Sequence, residues 1–168
     1  MKKYLKTSLA ICLAMIMTLS SAISIYAQTY QMSDGTNVKE FSTEDSVGIL
    51  ASPRSALISS VTLELTQEGY RKVNVYSEIL CHVEMEKIYM TITLQRKDGS
   101  NWKNVRTEDL EWLKEDYPNT ALSAATASFN VGSLSAGSYR IRTAFSVYEL
   151  NGSGHESRTS TSPTLIIN

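Results

Sequence analysis

The chain has 168 residues, 42% of them apolar and 20% charged, with a formal net charge of −1. A balance so near neutrality excludes the strongly basic surface that nucleic acid or an anionic membrane would need. Two cysteines, Cys12 and Cys81, cannot staple a small secreted scaffold, so the fold has to rest on packing.

Residues 1–27 have the three parts of an export signal. Lys2, Lys3 and Lys6 form a basic head, Leu9 to Leu19 an apolar middle, and Ser20, Ser21 and Ala22 lead to Ile25-Tyr26-Ala27. The apolar run is shorter than the ~20 residues a spanning helix requires, so no stable membrane insertion is expected once the signal is cut. Cleavage is placed after Ala27, with Ala22 as the alternative. Cys12 follows the bulky Ile11 and reads as apolar filler, not a lipid-attachment site. Cleavage removes three lysines and takes the charge from −1 to −4. It leaves 141 residues, the length of one domain, with Cys81 alone.

Residues 28–46 are polar and rich in Ser, Thr, Asp and Gly, which reads as a flexible lead-in. A single β domain is expected over 47–168. In it, Val61, Leu63 and Leu65 alternate, and Gly69 marks a turn. Val73, Val75, Ser77, Ile79, Cys81, Val83 and Met85 then share one side of a long strand. Ile88, Met90, Ile92 and Leu94 follow with the phase slipped by one residue. A slip of one moves every side chain to the other face, so a turn or bulge is expected near Met85 to Lys87.

Asp98-Gly99 supplies the positive φ of a tight hairpin, and Asn101 to Arg106 returns from it. Thr107 to Tyr117 packs five acids around Leu110, Trp112 and Leu113. Leu110, Leu113 and Tyr117 fall at helical spacing behind a Thr107 cap, which predicts a short crossover helix or an acidic loop. Ala121 to Val131 is a small-residue strand. Tyr139, Ile141, Thr143, Phe145 and Val147 face one way in the next. Asn151 to Gly154 turns the chain into a final Ser/Thr-rich strand.

Seven or eight short strands separated by turn signals predict an all-β, antiparallel β-sandwich. Two segments carry a resemblance. One runs from Val73 to Arg96 and through Asp98-Gly99 into Trp102-Lys-Asn-Val105; the other is Leu134-Ser-Ala-Gly-Ser-Tyr139-Arg-Ile-Arg142. Together they resemble a family of small secreted proteins of Gram-positive, clostridia-like bacteria, in which a hairpin with Trp and Val precedes a Gly-x-Tyr-Arg-x-Arg strand. The resemblance implies an immunoglobulin-like or fibronectin-III-like sandwich and secretion. It implies no activity. Tyr139 also resembles the tyrosine corner of such sandwiches, bonding back to nearby backbone.

Chemistry-bearing residues are sparse. His82 has Glu78 and Glu84 nearby, but alternate positions on a strand are about 7 Å apart, too spread for one metal site. Cys81 and His82 are adjacent, so on a strand they point to opposite faces and cannot act as a thiol–imidazole pair. Cys81 reads as a buried small hydrophobe. Neither a nucleophile elbow nor a calcium loop is present, and no cofactor, metal or catalytic residue is expected. Five aromatics remain: Tyr76, Tyr89 and Tyr148 on outward faces, with Trp102 and Trp112 flanking the Asp-Gly hairpin. Such residues stack on sugars or anchor protein partners. The expectation is a non-catalytic binding or structural module outside the cell, its partner an extracellular protein or a cell-wall glycan. A hydrolase is the remote alternative.

Overall fold

A computed structural model describes residues 26–168 except Arg54 and Ser153, without the side chains of Tyr26, Ala27 and Tyr30. The leader reading therefore concerns residues that lie almost wholly outside those described. Eleven strands are formed: β1 (Tyr26–Gln31), β2 (Asn37–Ser42), β3 (Ser46–Ser52), β4 (Ile58–Gly69), β5 (Lys72–Cys81), β6 (Met85–Asp98), β7 (Asn101–Leu113), β8 (Ala124–Val131), β9 (Gly137–Glu149), β10 (His155–Thr161) and β11 (Leu165–Ile167).

All pairings are antiparallel. One sheet of six strands runs β1-β2-β3-β4-β5-β8; the other, of five, runs β10-β9-β6-β7, with β11 also on β9. β10 and β11 share the side of β9 that β6 leaves free, separated at Ser162-Pro163-Thr164. Pro163 has no N–H to give a ladder, which accounts for a break at this edge.

The period-two residues make the core. Val61, Leu63 and Leu65 of β4, Val73, Val75 and Ile79 of β5, and Ile88, Met90, Ile92 and Leu94 of β6 are fully buried, with Ile141, Phe145 and Val147 of β9 closing over them. Each such aliphatic or aromatic side chain contributes roughly 1.5–3 kcal/mol of burial, and no sulfur bridge takes part. Ser77 and Thr143, also buried, satisfy each other across the sheets at 3.4 Å. At the start of β9 the buried Tyr139 donates its phenolic hydrogen to the Ser135 carbonyl at 2.7 Å, the corner expected from sequence.

Four expectations are corrected. First, residues 28–46 are no flexible lead-in: they supply most of β1, all of β2 and the first residue of β3. Ladder bonds to β3 hold β2, and β2 in turn holds the edge strand β1, so little apolar surface is needed. Here Val38 is the one fully buried side chain of β2, and Phe41 lies directly across from Gly48 of β3. Second, these additions and the split last strand raise the count from seven or eight to eleven. Third, Thr107 to Leu113 continues β7 instead of turning helical, and only Lys114–Asp116 forms a single 3₁₀ turn. The helical spacing loses to fourteen residues of β6 offering a ladder. Fourth, the chain reverses at His82–Glu84, so Val83 is exposed, not inward. The expected bulge does lie between Met85 and Lys87, where the register with β9 shifts.

A candidate binding groove between the sheets

The six-stranded sheet runs from β1 at one end to β8 at the other, and β7 ends the five-stranded sheet. Ile88 and Met90 of β6 stand opposite Trp112 and Leu110 of β7. All four point to the inner side, yet Ile88 and Met90 are fully buried and Leu110 and Trp112 only partly so. Ala127 and Phe129 of β8, in the opposite sheet, pack against the same core and leave Leu110 and Trp112 partly exposed.

A cleft of about 410 Å³ results, lined by Arg106, Glu108, Leu110 and Trp112 of β7 and by Thr126, Ala127, Ser128 and Phe129 of β8. The spacing of these residues describes its shape. Every second residue of β7 takes part, so β7 contributes a face. Successive residues of β8 take part, so β8 contributes its edge. The other edge of β8 is bonded to β5 along its whole length, from Val73↔Val131 to Leu80↔Ala124. The cleft is therefore an open strand edge looking across an apolar face. Such an edge presents unpaired main-chain N–H and C=O groups.

One end of the cleft is polar. The Arg106 guanidinium reaches Glu108 at 2.5 Å and lies 5.6 Å from the centre of the Phe129 ring. The rim is acidic: Arg106 to Tyr117 holds five carboxylates and two cations, while β8 has no charged residue. Glu111 is met by Lys87 at 3.7 Å, Asp109 by the Thr91 hydroxyl at 2.6 Å, and Lys114 turns away to Glu84 at 2.6 Å.

The five aromatics do not share one face. Trp112 lies in the cleft. Tyr76 is on the outer side of the six-stranded sheet, opposite Glu64 and Ser128, its hydroxyl held above the usual phenol range by desolvation and then by Glu78. Tyr89 and Tyr148 meet edge to face on the outer side of the other sheet, centroids 6.0 Å apart. His155 packs 4.5 Å from Tyr148. Trp102 occupies the far end of that same side, but the Arg140 guanidinium sits 4.1 Å over its ring, itself fixed by Gln95 at 3.0 Å. Leu110, expected in a helical stripe, and Phe129 are not among the binding residues expected from sequence; the alternation Asp109-Leu110-Glu111-Trp112 is the signal available for the first.

Catalytic geometry is not assembled at the residues considered. His82 is exposed in the β5–β6 turn, Glu78 accepts from Thr62 at 3.4 Å, and Glu84 is taken by Lys114. No group of three or more metal-ligating side chains occurs among the described residues. Burial, aided by Glu156, pushes the Cys81 thiol up to about 11, which leaves it protonated and a poor nucleophile at neutral pH. The His155 ring nitrogen is 3.1 Å from Ser157 on an exposed flat surface.

At the opposite seam Arg158 of β10 reaches back to the β1–β2 turn. It donates to Asp34 at 2.7 Å and to Thr36, closing a polar recess of about 470 Å³. Among the described residues, no helix is long and apolar enough to cross a membrane. No protein-family model matches this chain, nor does any curated protein.

Proposed function

We propose that this is a non-catalytic binding module of the bacterial exterior, secreted by its N-terminal leader, and that it holds its partner in the cleft between β7 and β8. The observation that carries the reading is the half-covered inner face of β7. Leu110 and Trp112 sit beside fully buried neighbours yet stay partly exposed in the cleft that β7 shares with β8. An apolar face left open beside a free strand edge is costly in water and prone to unwanted pairing. A partner that covers it turns that cost into affinity, and Trp is the side chain that most often anchors such contacts. The immunoglobulin-like or fibronectin-III-like kinship implied by the sequence fits a sandwich that works by its edges and loops.

A second reading is supported by the Tyr89–Tyr148–His155 group, flanked by the Ser146–Ser157 hydroxyl pair at 2.8 Å. Rings next to hydroxyls suit a glycan. Retention of the purified domain by bacterial envelopes separates the two. The cleft reading expects retention to be lost with Trp112→Ala and after protease treatment of the envelopes. Loss with Tyr148→Ala and after glycosidase treatment, with Trp112→Ala unaffected, would replace it by the glycan reading.

A further inference from the structure

Resting on the second reading and independent of the cleft, we propose that the outer face of the five-stranded sheet binds a carboxylate-bearing glycan laid along β9. Its sugar rings lie on Tyr148 and its acid groups on Arg142 and Arg140. Alternate residues of β9 put both ends on one surface, since Arg140, Arg142, Ala144, Ser146 and Tyr148 all face outward. Arg142 and Tyr148 are six residues apart, about 20 Å of extended strand. The span between them is floored by short side chains. Ala144 and Ser146 of β9 lie beside Thr159 and Ser157 of β10, and Ser146 and Ser157 share a hydrogen bond of 2.8 Å. A sugar chain has hydroxyls to meet these and ring faces to meet Tyr148 and His155, which pack 4.5 Å apart.

The other end of the face carries uncompensated positive charge. Arg142 is exposed and lies between Thr161 of β10 and Thr93 of β6. Arg140 lies across from Gln95, and its other flank meets the break at Ser162-Pro163-Thr164. Lys97, opposite Trp102, adds a third cation. The nearest acids are engaged elsewhere: Asp109, two strands from Arg142, receives the Thr91 hydroxyl at 2.6 Å, and Asp98 in the hairpin is held by Lys103. Two guanidiniums at alternate positions of one strand repel each other. Burial first, and the Arg142 charge second, lower the Arg140 pKa from its ordinary value.

Arg140 is also set in position. It stacks 4.1 Å over the Trp102 ring and donates its Nε hydrogen to Gln95 at 3.0 Å, and Gln95 is held in turn by Asn104 at 3.0 Å. With Nε engaged and one face on the indole, the two terminal amino groups remain. That fork matches the two oxygens of a carboxylate. A small free anion uses the fork alone, whereas an acidic glycan also reaches the hydroxyls and rings on the same strand.

The test uses residues 26–168, which hold all eleven strands, with tetragalacturonate as the acidic probe and its full methyl ester as the neutral one. Backbone and arginine side-chain NMR shifts report where each binds. The expected result with the acid is saturable shifts from Tyr148 and His155 through to Arg142 and Arg140. The ester should bind about tenfold more weakly, having lost its charge-assisted bonds. Arg142→Gln should bring the acid down to the ester's affinity and leave the ester unchanged; the side chain is exposed, so the fold is spared. Tyr148→Ala should weaken both.

If acid and ester bind equally at Tyr148, the glycan reading stands and the acidic selection is wrong. If neither shifts any resonance of this face at millimolar concentration, both fail. Inorganic phosphate that displaces the acid at equal concentration would make the arginines a site for a small free anion. An oligoglutamate peptide that binds as tightly would make the partner an acidic protein. Either result overturns the proposal.

Discussion

Trp112 stands directly across from Ile88 in the β6–β7 ladder, yet one is only partly buried and the other fully buried. The two share a sheet face, but β6 is bonded to a strand on both sides whereas β7 is the last strand of its sheet. Position at the end of the sheet, not sequence polarity, leaves Trp112 partly exposed. It follows that Ile88→Ala should cost about 2–5 kcal/mol, as for a buried aliphatic, while Trp112→Ala should cost clearly less than the roughly 3–5 kcal/mol of a fully buried Trp. Urea denaturation of both variants decides this. A loss at Trp112 equal to that of a core Trp would mean that the face is covered.

Gly48 should tolerate no side chain. A Cβ there would meet Phe41 Cζ at 2.3 Å and the Leu63 carbonyl oxygen at 2.5 Å. Phe41 is a flexible ring, but Leu63 is backbone inside the sheet. Gly48→Ala is therefore expected to destabilise by about 1–3 kcal/mol, in the range of overpacking, and adding Phe41→Ala should recover only part of it. Thermal unfolding of the single and double variants measures the balance.

Tyr139→Phe removes the bond to the Ser135 carbonyl at 2.7 Å and leaves the ring's packing intact. The expected cost is about 1–2 kcal/mol, a hydrogen bond plus part of the penalty for an unpaired acceptor. Chemical denaturation should show it with no change in the slope m.

How far the sequence spoke for this fold depends on how much surface each element buries. β4, β5, β6 and β9 are central, and their alternating Val, Ile, Leu and Phe marked them and their faces. β1 and β2 lie at an edge where Val38 alone of β2 is fully buried, so polarity concealed them. Leu110, Leu113 and Tyr117 mimicked a helical stripe, although β7 ends at Leu113 and Tyr117 follows the 3₁₀ turn, while the true pattern, Leu110 and Trp112 against Asp109 and Glu111, spans only two repeats. The cleft itself was not legible. Trp112 stood out as a side chain, but that β8 of the other sheet comes to line the same cleft depends on how two sheets pack, and no local spacing records that.

Acid should weaken the clasp at the opposite seam. The Thr36 side chain and its backbone N–H at 2.9 Å, with Arg158 adding to them, hold the Asp34 carboxyl down to about 2, below its ordinary value of 3.8. A carboxylate with a depressed folded pKa stabilises the fold above its unfolded pKa, and that contribution is lost as pH falls through the folded value. Tm should therefore drop between pH 4 and pH 2. Asp34→Asn should have a lower Tm at neutral pH and a shallower decline across the same interval.

Cys81 should resist thiol reagents in the native state. With its thiol raised to about 11 by burial and by Glu156, the reactive thiolate is scarce at pH 7.5. Maleimide labelling followed by mass spectrometry is expected to be slow in buffer and fast in denaturing urea. Rapid native labelling would show that the end of β5 opens.

The open edge of β8 is the feature on which the functional account depends, and amide hydrogen exchange in the free protein reads it residue by residue. The expected pattern along Ala124–Val131 alternates, with amides bonded to β5 protected and the intervening ones exchanging at nearly the rate of an unstructured chain. Uniform protection along β8 at low protein concentration would mean that the edge is already paired, and would contradict the account.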